Sequence, residues 1–148
     1  MNYVIIGNGT AAVGTIEGIR SVDKTGPITV ISEEPYHVYG RPLISYMLLG
    51  KTTEEKMLQY RPTDFYEVNH VTTMLGKKVV KIDSAVRTVA LESGETVPYD
   101  KLCICTGSRP FVPPIAGADL PHVQTLRTLE DVDAIAAHET SILTYEQD

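Results

Sequence analysis

The feature that most constrains this chain is a glycine turn near its start. Tyr3-Val4-Ile5-Ile6 is a short apolar run that breaks at Gly7-Asn8-Gly9-Thr10-Ala11-Ala12, after which Val13, Ile16 and Ile19 recur at helical spacing. The order is strand, tight turn, helix. Gly7 allows the sharp exit from the strand, Gly9 lacks a Cβ so that a pyrophosphate can approach the backbone, and Ala12 lets helix and strand pack closely. Free N–H groups at the positive end of the helix would face those phosphates. A second apolar strand, Ile28 to Ile31, ends in Ser32-Glu33-Glu34. It places a carboxylate about two dozen residues beyond the glycines, where a ribose hydroxyl needs an acceptor. This context points to a dinucleotide site rather than a plain strand-turn-helix corner.

The chain has 148 residues, enough for one ordinary domain with a real core, and a net charge of −6. That charge argues against nucleic acid or an anionic membrane as the main partner. No apolar stretch approaches a membrane span. Tyr3 to Ile6 is too short for a signal segment and has no basic region before it, so the expected location is the cytoplasm. The two cysteines, Cys103 and Cys105, would share one face of a strand, where a disulfide is strained. They read as buried thiols in preference to a redox pair. His37, His70, His122 and His138 are scattered without a partner at ligand spacing, so no metal site is expected.

Beyond the second strand, Pro35 to Pro42 is a loop by composition, carrying Tyr36, Tyr39 and Arg41. The residue types leave Arg41 open between a surface ion pair and a guanidinium beside a bound diphosphate or flavin. Leu43 to Leu49 reads as a short apolar helix closed by Gly50, followed by helix starts at Thr52 and Arg61 and a third parallel strand at Val71 to Leu75. From Lys77 the period changes to three short strands: Val79 to Ile82, Val86 to Leu91, and Val97 to Tyr99, with turns at Asp83-Ser84 and Ser93-Gly94. Such an excursion serves as a crossover to the next parallel strand. That strand, Lys101 to Cys105, has the apolar character of one buried on both faces, and it stops at a second glycine turn, Thr106-Gly107. Residues 111–121 form a proline- and glycine-rich connector, Val123 to Leu126 suits another short strand, and Thr128, Glu130 and Asp131 open a last helix running to about His138.

Together these motifs resemble the amino-terminal FAD-binding part of the pyridine nucleotide-disulfide oxidoreductase superfamily, in the branch of rubredoxin reductases, ferredoxin reductases and NADH oxidases. The resemblance rests on Val4 to Ala12, Ser32-Glu33-Glu34-Pro35, Arg41-Pro42-Leu43-Ile44-Ser45, Val79 to Asp83, Tyr99 to Pro110, and Leu126 to Asp131. It implies an α/β fold: a Rossmann-like parallel sheet with a three-stranded meander, forming one FAD-binding domain over residues 1–148 whose residues 111–148 lead toward an NAD(P)H-binding domain. It also implies site residues. Gly7, Gly9, Ala11 and Ala12 match the diphosphate turn, Glu33 the ribose acid, and Val79 the backbone position that meets the adenine. Cys105, Thr106 and Gly107 match a segment along the cofactor, Arg41 and Pro42 a loop near the isoalloxazine, and Arg127 an arginine that closes over FAD.

The resemblance implies FAD as cofactor, with NAD(P)H bound only through a domain absent from this chain. Electrons would pass to rubredoxin, ferredoxin, oxygen or a similar acceptor. No side chain need act as acid or base, so none is assigned as catalytic. Two departures narrow the reading. Between Glu33 and Gly50 there is no cysteine, which argues against thiol chemistry at the flavin. Tyr46 stands where several ferredoxin reductases have lysine, and it reads as a packed side chain. Ser141 to Asp148 begins like the first strand of an NAD(P)H domain and stops there. The chain therefore reads as a fragment unable to turn over NADH by itself, or as a stand-alone nucleotide-binding module that joins a second copy or a partner subunit. An NAD-binding dehydrogenase domain ranks below both, since it would not account for the meander or for Thr106-Gly107.

Overall fold

A computed structural model describes residues 1–121 and 123–145, and the backbone alone for residues 138–145. The chain divides into two units, Met1–Tyr39 with Leu58–Gly107, and Gly40–Met57 with Ser108–Asp148.

The first unit is built on a parallel sheet. Strands β1 (Tyr3–Ile6), β2 (Ile28–Ser32), β3 (Val71–Leu75) and β7 (Lys101–Ile104) lie in the order β3-β2-β1-β7. Strands β4 (Val79–Asp83), β5 (Thr88–Leu91) and β6 (Thr96–Pro98) form a separate antiparallel sheet in that order. The alternation of side chains along β1 assigns each face its cover. Ile5 joins Val13 and Ile16 of helix α1 (Thr10–Val22), Val30, and Phe65 of helix α4 (Phe65–Val68) in one buried cluster. Val4 and Ile6 point the other way, where with Ile31 they meet Val89 and Leu91 of the meander. Each fully buried side chain of this kind contributes roughly 1.5–3 kcal/mol. The meander thus covers a face that a helix covers in a simple doubly wound unit.

Two polar devices hold α1 in place. Arg20, only 8% exposed, donates from Nε to the Asn69 carbonyl at 2.7 Å, from Nη1 to the Asp23 carbonyl at 2.9 Å and from Nη2 to the His70 carbonyl at 3.3 Å. After the helix, Asp23 accepts the N–H of Gly26 at 2.7 Å and of Thr25 at 3.1 Å, closing the turn toward β2. The Tyr3 hydroxyl donates to the same carboxylate at 3.1 Å. These donors, the Gly26 and Thr25 amides foremost, hold the Asp23 carboxyl below its usual range.

In the second unit a 3-10 turn, Arg41–Leu43, carries Pro42 near its start and runs into α2 (Ile44–Leu48). Gly50 follows in the left-handed region at φ 63°, as a glycine stop requires. Helix α3 (Glu54–Leu58) begins in this unit and buries Met57, while α2 packs against α5 (Leu129–Tyr145). The start of α5 is a reciprocal cap: the Asp131 carboxylate accepts the N–H groups of Arg127 at 2.7 Å and Thr128 at 2.8 Å, and the Asp131 N–H donates to the Thr128 hydroxyl at 3.3 Å.

Several expectations need correction. Strand β7 is not buried on both faces: it pairs only with β1 among the described residues, and Ile104 is 62% exposed. Val86 lies in the β4–β5 turn that Asp83 closes with its side chain, not in a strand. Val123 to Leu126 is not a strand, because the Val123 N–H bends back to the Leu120 carbonyl at 3.0 Å. Helix α5 passes His138 and reaches Tyr145, since no glycine or proline interrupts it, so residues 141–145 are helical rather than the start of a strand. Residues 146–148 and His122 lie outside the described residues. Tyr46 is 48% exposed instead of packed, for it falls on the outer side of the short helix whose buried residue is Ile44.

Candidate nucleotide site

The four parallel strands end at one edge of the sheet. From β1 the chain moves to β2 and β3 on one side and returns through the meander to β7 on the other, so the order reverses at β1. Ligands of open α/β sheets collect outside the carboxyl ends of the strands at such a reversal. Here that place is filled by the turn after β1 and the turn after β7.

The two turns depend on each other. Gly7 has φ 103°, and a Cβ on it would lie 2.2 Å from the Cys105 carbonyl oxygen, so only glycine fits. Its N–H donates to the Ile31 carbonyl, and the Cys105 N–H donates to the Ile6 carbonyl, both at 2.7 Å. Gly9 differs: it is extended, at φ −108° and ψ −165°, and a Cβ there would meet nothing within 4 Å. The space in front of Gly9 is open.

Helix α1 begins at this point without a side-chain cap, and its first internal bond runs from the Val13 N–H to the Gly9 carbonyl at 3.2 Å. The N–H groups of Thr10, Ala11 and Ala12 therefore precede the ladder and carry the partial positive charge of the helix end. Asn8 is the residue type that could have capped them, yet its side chain is held elsewhere. Its amide donates to the Tyr36 carbonyl at 3.1 Å, and its oxygen accepts the Tyr66 hydroxyl at 2.6 Å. Tyr66 also accepts the Val38 N–H at 3.2 Å, and burial holds its hydroxyl above the usual range, so it stays a donor. Nothing in the sequence pattern singled out Tyr66. The only signal was an aromatic in a short helix far along the chain.

Glu33 follows β2 and stands beside the start of β4. The Lys77 N–H bonds the Ser32 carbonyl at 2.8 Å, and Lys78 Nζ lies 3.4 Å from Glu33 Oε1. Val79 opens β4 next to this pair, so Glu33 and Val79 share one corner. The Glu33–Lys78 pair is well exposed, and such pairs contribute about 0–1 kcal/mol, so a ribose can share or displace it. The following acid, Glu34, accepts the Tyr39 hydroxyl at 2.5 Å. Thr106 and Gly107, with Gly107 at φ 69°, complete the turn after β7.

Arg41, Pro42 and Arg127 belong to the second unit. There Arg41 Nη1 donates to the Arg127 carbonyl at 2.6 Å, which joins the two arginine-bearing segments. Of the residues read from the sequence, Gly7, Gly9, Ala11, Ala12, Cys105, Thr106 and Gly107 gather around the β1–β7 reversal. Glu33 and Val79 stand together at the end of β2. Among the described residues no cluster of three metal-binding side chains occurs, and no helix is long and apolar enough to cross a membrane.

A parallel sheet with a glycine turn at its reversal and an antiparallel meander as crossover defines a nucleotide-binding α/β protein of the FAD/NAD(P) Rossmann-like class. The chain belongs to the pyridine nucleotide-disulphide oxidoreductase family, whose model matches residues 1–144. Members of this family are FAD-dependent NAD(P)H oxidoreductases. The chain is 38% identical over 135 residues to nitrite reductase [NAD(P)H] of Bacillus subtilis, a match covering 90% of this chain and 17% of that protein. It is 34% identical over 137 residues to rhodocoxin reductase of Rhodococcus erythropolis, covering 93% of this chain and 32% of that one. The reductase of a covalent putidaredoxin reductase–putidaredoxin complex superposes with a TM-score of 0.81 at 30% identity, over 93% of this chain and 34% of its own. The chain thus spans no more than about a third of the length of these relatives.

Proposed function

We propose that this chain is the FAD-binding portion of an NAD(P)H-dependent flavoprotein oxidoreductase, one that passes electrons to an acceptor such as rubredoxin, ferredoxin or oxygen. The observation that carries the reading is the uncapped start of α1 above an empty Gly9, with Asn8 held away from the helix end. In this reading the N–H groups at Gly9, Ala11 and Ala12 bind the diphosphate, Gly7 makes the turn, and Glu33 accepts the adenosine ribose hydroxyls. The backbone of Val79 meets the adenine. Cys105, Thr106 and Gly107 run along the cofactor, Arg41 and Pro42 flank the flavin ring, and Arg127 closes over it.

FAD bound there would supply the chemistry, hydride acceptance and single-electron release. The chain's own residues bind and orient it, and none moves a proton in the reaction. The nicotinamide cofactor binds to a separate domain with its own glycine turn. The location proposed with this reading is the cytoplasm.

The test is a titration of the purified chain with FAD followed by flavin fluorescence, with ADP as competitor. Tight binding that ADP competes away supports the assignment. A folded chain that binds neither ligand overturns it.

A further inference from the structure

Cys103 and Cys105 face the same side of β7, toward helix α1, and form a close group with Thr15. Their sulfurs lie 3.5 Å apart, and the Thr15 hydroxyl oxygen lies 3.5 Å from Cys103 Sγ and 3.6 Å from Cys105 Sγ. The three atoms make a nearly equilateral triangle. The Thr15 proton is committed to the Ala11 carbonyl at 2.8 Å, so oxygen lone pairs face the two thiols. Both cysteines are half-buried and free.

A disulfide between these sulfurs would require them to move from their present places against a backbone held on both sides. A disulfide needs sulfurs about 2.05 Å apart, so they would have to approach by roughly 1.5 Å. Cys103 is registered against Ile5 in the β1–β7 ladder, and the Cys105 N–H is bonded to the Ile6 carbonyl at 2.7 Å. The Cys105 carbonyl also lies against Gly7, leaving no room for even a Cβ there. A ligand that bridges the sulfurs at their present separation needs no such movement. A centre bonded to both sulfurs at about 2.3 Å, the length of a zinc–thiolate bond, would subtend about 100° between them. A linear two-coordinate centre would instead need sulfurs about 4.6 Å apart. Zinc would lack its further ligands, since no third Cys, His, Asp or Glu completes a cluster among the described residues. An angle near a right angle suits a pyramidal centre that carries a lone pair.

We propose that Cys103 and Cys105 form a chelating dithiol site for trivalent arsenicals, with the Thr15 oxygen as a third, weaker contact. The reaction is a condensation. Each thiol S–H bond and each As–OH bond breaks, two As–S bonds form, and two waters leave carrying the thiol protons. Arsenic stays trivalent and no electrons are exchanged. Burial pushes the Cys105 thiol up, which slows alkylation and disulfide exchange because both need a free thiolate. The condensation carries its own proton acceptor in the departing hydroxide.

The probe is phenylarsine oxide added to the intact chain, read by native mass spectrometry and thiol titration. The expected result is one arsenical per chain, both thiols lost, and a mass gain equal to the reagent less one water. Excess monothiol should leave the adduct in place, and 2,3-dimercaptopropanol should remove it. Cys103→Ser and Cys105→Ser should each weaken binding by about a hundredfold or more, the usual loss when a chelate becomes monodentate. Circular dichroism confirms that the variants fold, and the wild-type stoichiometry stands as a test independent of them. No adduct, an adduct stripped by monothiol, or single-cysteine variants that bind as tightly as wild type would each overturn the proposal.

Discussion

Gly9 and Gly7 lie two residues apart in one turn, yet the structure assigns them opposite sensitivities. At Gly9 the backbone is extended and a Cβ meets nothing within 4 Å, so Gly9→Val should change stability by no more than about 0.5 kcal/mol. Its side chain would fill the space before the N–H groups of Thr10, Ala11 and Ala12. Hydrogen bonds to a charged group contribute about 1.5–3 kcal/mol each, so displacing the diphosphate from one or two of them costs about 3 kcal/mol. That corresponds to an FAD affinity roughly a hundredfold lower. At Gly7, φ is 103° and the Cys105 carbonyl lies 2.2 Å from the Cβ position. Left-handed strain costs about 1–3 kcal/mol, and the turn after β7 must also shift, so Gly7→Ala should lose about 2–4 kcal/mol of stability. In a chain of this length that lowers the melting temperature by roughly 10 °C. The assay pairs a flavin-fluorescence titration with a thermal melt for each variant. A folded Gly9→Val chain that binds FAD as tightly as wild type would refute the placement of the diphosphate, and an unchanged melting temperature for Gly7→Ala would refute the close approach of the two turns.

Other perturbations test the framework around the site. Tyr66→Phe removes the donor that holds the Asn8 oxygen, freeing Asn8 to cap α1 in competition with a ligand. FAD affinity should fall about tenfold, with a loss of about 1 kcal/mol in a denaturant melt. Arg20→Ala removes a nearly buried side chain and the donor of three part-buried carbonyls and should cost about 1–3 kcal/mol, whereas substitution of exposed Lys24 should cost almost nothing in the same melt. Asp23 stabilises the fold as an anion, because its folded pKa lies below the unfolded one. Its contribution is complete above the ordinary carboxylate range and disappears as pH falls through the lowered value. The melting-temperature gap between wild type and Asp23→Asn should therefore be constant near neutral pH and narrow in acid, and a gap that widened in acid would contradict this sign.

Much of the first unit was legible because its signals are local. The runs at Tyr3–Ile6 and Ile28–Ser32, the glycine turn and the helical spacing of Val13 and Ile16 each specify an element within a few residues, and the Asp83 and Gly94 turns specify the meander. Thr128 and Asp131 announced the start of α5, but nothing local announced its end. The reading of Lys101–Ile104 as a fully buried strand failed for a different reason. Apolar composition reports what a strand can tolerate, while burial depends on what the fold places around it, and among the described residues β7 pairs only with β1 and leaves Ile104 exposed.

By itself, then, the sequence determined that a turn with two glycines follows a strand and opens a helix, and that an acid follows the next strand. Both follow from the backbone freedom of glycine and from the two periods of apolar residues. Only the tertiary structure decided that Cys105 presses on Gly7, that Tyr66 draws Asn8 off the helix end, and that two thiols and a threonine oxygen meet in one triangle. Those contacts join residues 58 to 98 positions apart, and they exist only because parallel pairing brings distant segments together: β1 with β7 for the cysteines, and β2 with β1 and β3 for the α4 segment that carries Tyr66.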